Sequence, residues 1–370
     1  GIVGAGLMAS QLALLFAQRL QVPVVITDLD QERIDRGLAF VAAELDKLVE
    51  KGKMSADRAN RIRALVTGST DKAPYADADF IIEAVFEEMA IKKRVFAELE
   101  ALVPETCILA SNTSSLSITE MASDLKHPER VIGFHFFNPV AVMPLLEIIP
   151  GPRTDDPTIA TAFALAKELK KSAVRVQDAP GFVVNRLLLL VLAEILRALD
   201  EGTDLATCDR ALRPLGMPMS PFALLQLVGP AVALHVMEVL HGAFPDRYWL
   251  SENLRRIVEA GKPGVFLAGG DRNKPTVDPE VLGLLQQGST TRTEGEILDM
   301  VLDALAREAR IMLDEGAVAE PEDIDLCMIL GSGMPFATGG LTPFLDRSGA
   351  SMRVNGKRFL APGVASLPEA

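Results

Sequence analysis

Cysteine is scarce in this chain and never clustered. Cys107, Cys208 and Cys327 are the only three in 370 residues, and their wide separation excludes both a disulfide framework and a metal-ligand spacing. The reducing cytoplasm is the simplest compartment for such a chain. Basic charge is also short: 37 lysines and arginines face 50 aspartates and glutamates, a formal net charge of −13. Nucleic-acid binding favours concentrated positive charge, so that class is excluded. An anionic small molecule would need a local basic patch. Long apolar runs are missing as well. The longest, residues 187–193, stops at Glu194 and falls far short of the ~20 residues that a spanning helix needs. No signal peptide is visible, and the chain opens at Gly1 without Met, partway through a strand. That start reads as a piece of a longer polypeptide.

What is present is an ordinary globular composition, 49% hydrophobic and 24% charged, in a length that suits two or three domains. Residues 1–10, GIVGAGLMAS, have the form of a strand end running into a turn and a helix. Gly4 would make the tight turn, Gly6 would let the backbone approach a pyrophosphate, and Ala9 takes the third small position, where helix packs on strand. The apolar stretch 8–20 then offers a helix N-terminus to a diphosphate; a glycine turn without a ligand is the alternative. The next strand, residues 22–27, ends at Asp28, about twenty residues past the glycines, where an acid binds adenosine ribose hydroxyls. Asp30 follows and no arginine is expected close by, so a 2′-phosphate would be repelled and NAD is favoured over NADP. Asp28 can also serve as N-cap of a helix starting near Gln31.

A helical pair follows, residues 31–51 and 55–65, with Ser55 as its cap signal. Strand-like runs recur at 79–83, 107–110, 131–134, 145–149 and 173–176, separated in part by helical stretches such as 92–102 and 158–169. That alternation predicts a doubly wound, mostly parallel sheet, which binds ligands at the carboxyl ends of its strands. Glu87 and Lys92 lie just past one such end, as cofactor contacts, supports for them, or solvated surface groups. The segment 111–115, SNTSS, lies past another; it caps a helix over 118–125, donates to a substrate oxygen, or does both.

Residues 131–149, VIGFHFFNPVAVMPLLEII, carry the sharpest signal. His135 sits where an apolar strand is expected to break into a loop at Asn138-Pro139, and Glu147 interrupts the next apolar run. A strand buried on both faces should be continuously apolar, and a carboxylate inside one is costly unless paired. His135 is the partner expected, giving a dyad in which the acid orients the imidazole while the imidazole moves a proton. The alternative is a solvent-facing Glu147 on an edge strand.

The second half reads as helical. Residues 178–181, DAPG, break the chain, and 182–199 form one long apolar helix with Asn185 in its first turn. A buried amide must be hydrogen-bonded, so Asn185 is a structural clamp or a ligand contact. Residues 193–228 resemble 306–345, anchored by LDEG at 199–202 and 313–316 and by GMP at 216–218 and 333–335. A helical module is therefore duplicated, with residues 260–273 as the loop between copies.

Four motifs, Gly4-Ala-Gly6-Leu-Met8, Ser111-Asn-Thr-Ser-Ser-Leu116, His135-Phe-Phe-Asn-Pro139 with Glu147, and Ala179-Pro-Gly-Phe-Val-Val-Asn-Arg186, occur in the order seen in L-3-hydroxyacyl-CoA dehydrogenases. The similarity spans nearly the whole chain. The duplicated module makes it resemble the dehydrogenase part of the multifunctional β-oxidation α-subunit, without the hydratase half. The resemblance implies a Rossmann-like domain over 1–178, a helical domain over 179–290 and its second copy over 291–370. It implies His135 as general base, Glu147 as its partner, and Ser114 and Asn185 on the substrate's C3 oxygen. Asn138 would stand beside the nicotinamide, and Gly4, Gly6, Met8, Asp28, Val85, Phe86, Glu87 and Lys92 would fall on NAD-binding positions. It further implies an acyl-CoA substrate, a thiolase β-subunit as partner, and tandem helical copies forming an internal pseudo-dimer. Two departures stand out. Ala9 and Ser10 replace glycines of many relatives, tightening the space near the pyrophosphate, and Phe344 stands where some relatives carry tyrosine. Lys51, Lys53 and the run Lys92-Lys93-Arg94 are the basic clusters that a phosphate-bearing thioester would use, unless they are merely solvated. Two other readings stay open: a small hydroxy-acid dehydrogenase, which would generally use a lysine base, and a non-catalytic NAD-binding or scaffolding protein.

Overall fold

The computed structural model describes residues 1–267 and 275–364. Part of the expected loop at 260–273, residues 268–273, lies outside the described residues. The chain divides into two compact units, Gly1–Ala179 and Pro180–Ala370.

In the first unit the elements run β1 (Ile2–Val3), α1 (Leu7–Leu20), β2 (Val24–Thr27), α2 (Gln31–Glu50), α3 (Ala56–Leu65), β3 (Val66–Ser69), β4 (Phe80–Glu83) and α4 (Met89–Glu100). They continue with β5 (Ile108–Ser111), α5 (Ile118–Met121), β6 (Val131–Phe136), β7 (Leu145–Pro150), α6 (Asp156–Glu168) and β8 (Ser172–Arg175). The sheet order is β3-β2-β1-β4-β5-β6-β7-β8. Every neighbouring pair is parallel except β6–β7. The chain winds one way from β1 to β3 and then crosses to β4. The carboxyl ends of β1 and β4 therefore flank a topological switch point, where open α/β sheets bind ligands.

Local chemistry explains the helices. Ser55 and Asp30 cap α3 and α2 by accepting from the amides of Arg58 and Arg33. Asp30 thus takes the capping role expected of Asp28, because α2 starts at Gln31 as expected and Asp30 is the residue directly before it. The core is built from β-strand residues such as Ile26, Ile82 and Ile132 against Leu12, Ala13 and Ala17 of α1 and Ile34, Val41 and Leu45 of α2. β3 was not visible as a strand in the sequence: VTGS has one buried residue, Val66, and no alternation to read. The helix expected over 118–125 closes after one turn, at Met121.

The second unit opens with α7 (Val184–Glu201), α8 (Leu205–Arg210), α9 (Pro221–Val228), α10 (Pro230–Ala243) and α11 (Glu252–Glu259). It continues with α12 (Pro279–Leu284), α13 (Glu294–Asp314), α14 (Pro321–Ser332), α15 (Leu341–Arg347) and α16 (Ala350–Asn355). The two LDEG segments and the two GMP segments take similar local forms. The two long helices α7 and α13 pack on each other, and each ends just before a glycine of positive φ, Gly202 and Gly316. The GMP turns meet reciprocally: a Cβ on Gly216 would lie 3.3 Å from Pro335, and one on Gly333 would lie 3.2 Å from Pro218. Among the described residues no single helix is long and apolar enough to cross a membrane; α9 with α10 passes on length and composition only as a pair bent by 99°.

Candidate active site

His135 lies inside β6, not at its break into a loop, because β7 pairs with it antiparallel as far as Phe136. That correction strengthens the geometry. Antiparallel pairing sets residues directly opposite one another with their side chains on one face, and here His135 faces Glu147 in register. His135 is 3% exposed and Glu147 0%, and Nδ1 lies 2.7 Å from Glu147 Oε2. The Phe137 ring packs 4.5 Å from the imidazole centroid. With Nδ1 turned to the carboxylate, the neutral ring carries its proton there and directs Nε2 elsewhere.

A second buried network organises the neighbouring loop. Glu83, at the end of β4, is fully buried, and its two oxygens accept from Lys92 Nζ at 2.8 and 2.9 Å. Ser111 Oγ donates to Glu83 at 2.6 Å, and Val85 N at 2.7 Å. Lys92 also reaches Glu87 at 3.2 Å. Glu87 Oε1 in turn accepts from Thr113 Oγ1 at 2.5 Å, Ser114 N at 2.8 Å and Ser115 N at 3.2 Å. Although burial opposes it, the charge of Lys92 and these hydrogen bonds hold the Glu87 carboxyl below its usual range. The result is a clamp on the loop that carries Ser114. Lys92 is 1% exposed, so its ammonium is enclosed and does not form a surface phosphate contact; in the same cluster Lys93 pairs with Asp124 at 2.7 Å and Arg94 is exposed.

The glycine turn fits a dinucleotide. Gly4 has φ +112°, and a Cβ there would lie 2.6 Å from the carbonyl oxygen of Ala84, so only glycine closes this turn. Gly6 has φ −71°, and a Cβ on it would meet nothing within 4 Å. The space before the first turn of α1 is therefore open, and no side chain caps that turn. Ala9 and Ser10 do not intrude on it: both are buried, and Ser10 Oγ donates back to Gly6 O at 2.9 Å. Met8 lies half-buried in the same turn. Asp28 accepts from Ala5 N at 2.8 Å and Leu29 N at 2.7 Å, which ties β2 to the turn. The expectation that no arginine is near fails, because the first turn of α2 brings Arg33 back to 3.5 Å from Asp28 and 3.1 Å from Asp30. The same guanidinium lies 5.8 Å from the ring centroid of Phe86, which is 65% exposed. Two acids against one arginine still leave this edge net negative.

Comparison with known proteins gives the family. Residues 1–179 match the family model for the NAD-binding domain of 3-hydroxyacyl-CoA dehydrogenase, and residues 181–269 match the model for its C-terminal domain. The chain belongs to the 3-hydroxyacyl-CoA dehydrogenase family. Its first unit is the NAD-binding domain of that family. The fatty acid oxidation complex subunit alpha of Psychrobacter arcticus is 34% identical over 366 residues, covering 94% of this chain and 50% of that protein. The chain thus spans about half the length of the curated relatives it matches. Among solved structures, FadB2 of M. tuberculosis is 36% identical over 70% of this chain and 93% of its own, with a TM-score of 0.67. The 3-hydroxybutyryl-CoA dehydrogenase of Escherichia coli K12 is 26% identical, covers 98% of this chain and 96% of its own, and gives a TM-score of 0.78.

Within this dehydrogenase fold, β1, β4, β5 and β6 bring Gly4, Val85, Phe86, Glu87, Ser114 and His135 to one carboxyl edge of the sheet. Asn138 is exposed in the loop after β6. Asn185 stands in the first turn of α7 in the helical unit, and Phe344 is half-buried in α15. Lys51 and Lys53 are exposed at the α2–α3 turn. Sequence reading missed Glu83, although a carboxylate ending the buried run FIIE is the same signal that exposed Glu147. It also missed Gln11, whose Nε2 donates to Asn138 Oδ1 at 3.0 Å; a glutamine on a helix face gives no such warning.

Proposed function

We propose that this chain oxidises L-3-hydroxyacyl-CoA to 3-ketoacyl-CoA with NAD, the dehydrogenase step of fatty-acid β-oxidation. The observation that carries the reading is the His135–Glu147 contact at 2.7 Å, at the sheet edge that also holds the glycine turn. Bound NAD would supply the hydride acceptor for C3. His135 Nε2 takes the hydroxyl proton, and Glu147 holds Nδ1 and steadies the imidazolium that results. Ser114, its loop fixed by Glu87, and Asn185 are assigned to the substrate's C3 oxygen, where a preorganised donor typically contributes roughly 2.7–4 kcal/mol. Asn138 is assigned to the nicotinamide end, and Asp28 to the adenosine ribose. Lys51 and Lys53 are assigned to the CoA phosphates. The reciprocal Gly216–Pro335 and Gly333–Pro218 contacts favour tandem copies, 179–290 and 291–370, related as in an isologous dimer. The likeness to α-subunits of fatty acid oxidation complexes favours a thiolase β-subunit as partner and the cytoplasm as the compartment.

A lysine-based hydroxy-acid dehydrogenase is disfavoured, since Lys92 is sealed between Glu83 and Glu87. The test is NADH-linked reduction across acetoacetyl-CoA, longer 3-ketoacyl-CoA thioesters and free 3-keto acids. We expect turnover of the thioesters and none of the free acids. Turnover of free acids alone would support the small-acid reading, and NADH binding with no turnover at all would support a scaffold.

A further inference from the structure

Residues 137–144, between β6 and β7, carry Asn138 and are gripped from two sides. On the α1 side, Gln11 Nε2 donates to Asn138 Oδ1 at 3.0 Å, and Gln11 Oε1 accepts from Val140 N at 2.7 Å. On the other side, just before β8, Lys171 Nζ donates to the carbonyl oxygens of Val140 at 2.5 Å and Met143 at 2.7 Å. The ammonium also lies 6.0 Å from the centroid of the Phe136 ring, the residue that follows His135.

This lysine is unusual for its surroundings. It is partly buried, among the described residues no carboxylate forms an ion pair with it, and the charged neighbour that acts on it is Arg19 of α1, a like charge. Burial pushes its pKa down to about 8. A cation held without a counter-ion costs stability relative to an apolar side chain of the same length. Carbonyl oxygens are what it gains, and both belong to the loop after His135. Two such bonds, one on either side of residues 141–142, fix the loop's curvature, and Gln11 bonds the same loop to the helix that starts at the glycine turn.

We infer that Lys171 is a positioning residue: by holding the carbonyls of Val140 and Met143 it sets Asn138 in the place where it meets the cofactor. The inference rests on the assignment of Asn138 to the nicotinamide end and deepens it. A residue acting through Asn138 should lose its influence once Asn138 is gone, whereas a general stabiliser should not. That difference is measurable in a double-mutant cycle.

The cycle uses the whole chain, with NADH affinity read by the nucleotide's fluorescence and folding read by thermal midpoint. Asn138→Ala and Lys171→Met should each weaken NADH binding by about tenfold, the scale of one lost charge-assisted contact. The double variant should be no weaker than either single one. Lys171→Arg, which keeps a cationic donor, should bind NADH within about threefold of wild type; should Lys171→Met fail to fold, Lys171→Gln takes its place in the cycle with the same expected coupling. Wild-type affinity in Lys171→Met, or penalties that multiply in the double variant, would overturn the inference while leaving the Asn138 assignment intact. Unchanged NADH affinity in Asn138→Ala would overturn both.

Discussion

Two carboxylates, Glu83 and Glu147, are each fully enclosed within the same sheet, and each is matched to one nitrogen base of a different kind. Glu83 faces Lys92, whose bonds reach both oxygens and hold the carboxylate from two sides. Glu147 faces an imidazole, which can be held at one ring nitrogen while the other exchanges a proton. The first pair therefore suits a fixed scaffold and the second a proton carrier. Removing one member of a buried ion pair strands the other. Glu83→Gln should destabilise the first unit by about 3 kcal/mol, at the low end for such a loss because Glu87 remains beside Lys92. Urea unfolding followed by circular dichroism reads this directly. An unchanged midpoint would mean that the pair contributes nothing. Glu83 was as legible in the sequence as Glu147, since both interrupt apolar runs. What the sequence withheld was the partner: Lys92 sits nine positions on, in α4, and reads there as a surface lysine.

At the scale of elements, the β1–α1 turn separates the two reasons a glycine is needed. Gly4 closes the turn against Ala84 O, at a φ that other residues avoid. Gly6 has an ordinary φ and open space ahead of it. Gly4→Ala should therefore cost both folding and binding, lowering stability by roughly 1–3 kcal/mol. Gly6→Ala should leave the thermal midpoint within about 2 °C and weaken NADH at least tenfold, as a methyl group enters the pyrophosphate's place. Equal loss of stability in both variants would contradict this division. Elements with strong periodicity, such as α1, α2 and α7, were legible almost to their ends. β3, with one buried residue in four, was not, because sheet pairing rather than local pattern creates it; α5 was legible at its start, Ile118, but not in its length, a single turn. The antiparallel β6–β7 step was equally hidden: nothing in an apolar run announces its direction, yet that step is what sets His135 opposite Glu147.

At the scale of the whole molecule, the chain divides into a sheet unit that carries the dyad and the dinucleotide turn and a helical unit. The two short anchors LDEG and GMP that suggest a duplication in the sequence each place a glycine at positive φ in both occurrences. The reciprocal packing of each GMP turn on the other's proline was not readable, since it depends on tertiary contact between segments far apart in sequence. The dyad's place in the sheet gives the central claim, that His135 moves the substrate proton. The most direct measurement is the single-turnover rate of acetoacetyl-CoA reduction by NADH in His135→Gln, with NADH affinity determined on the same protein. A loss of about 10²- to 10⁴-fold in rate with NADH affinity within about twofold of wild type is the predicted result; a rate near wild type would contradict it.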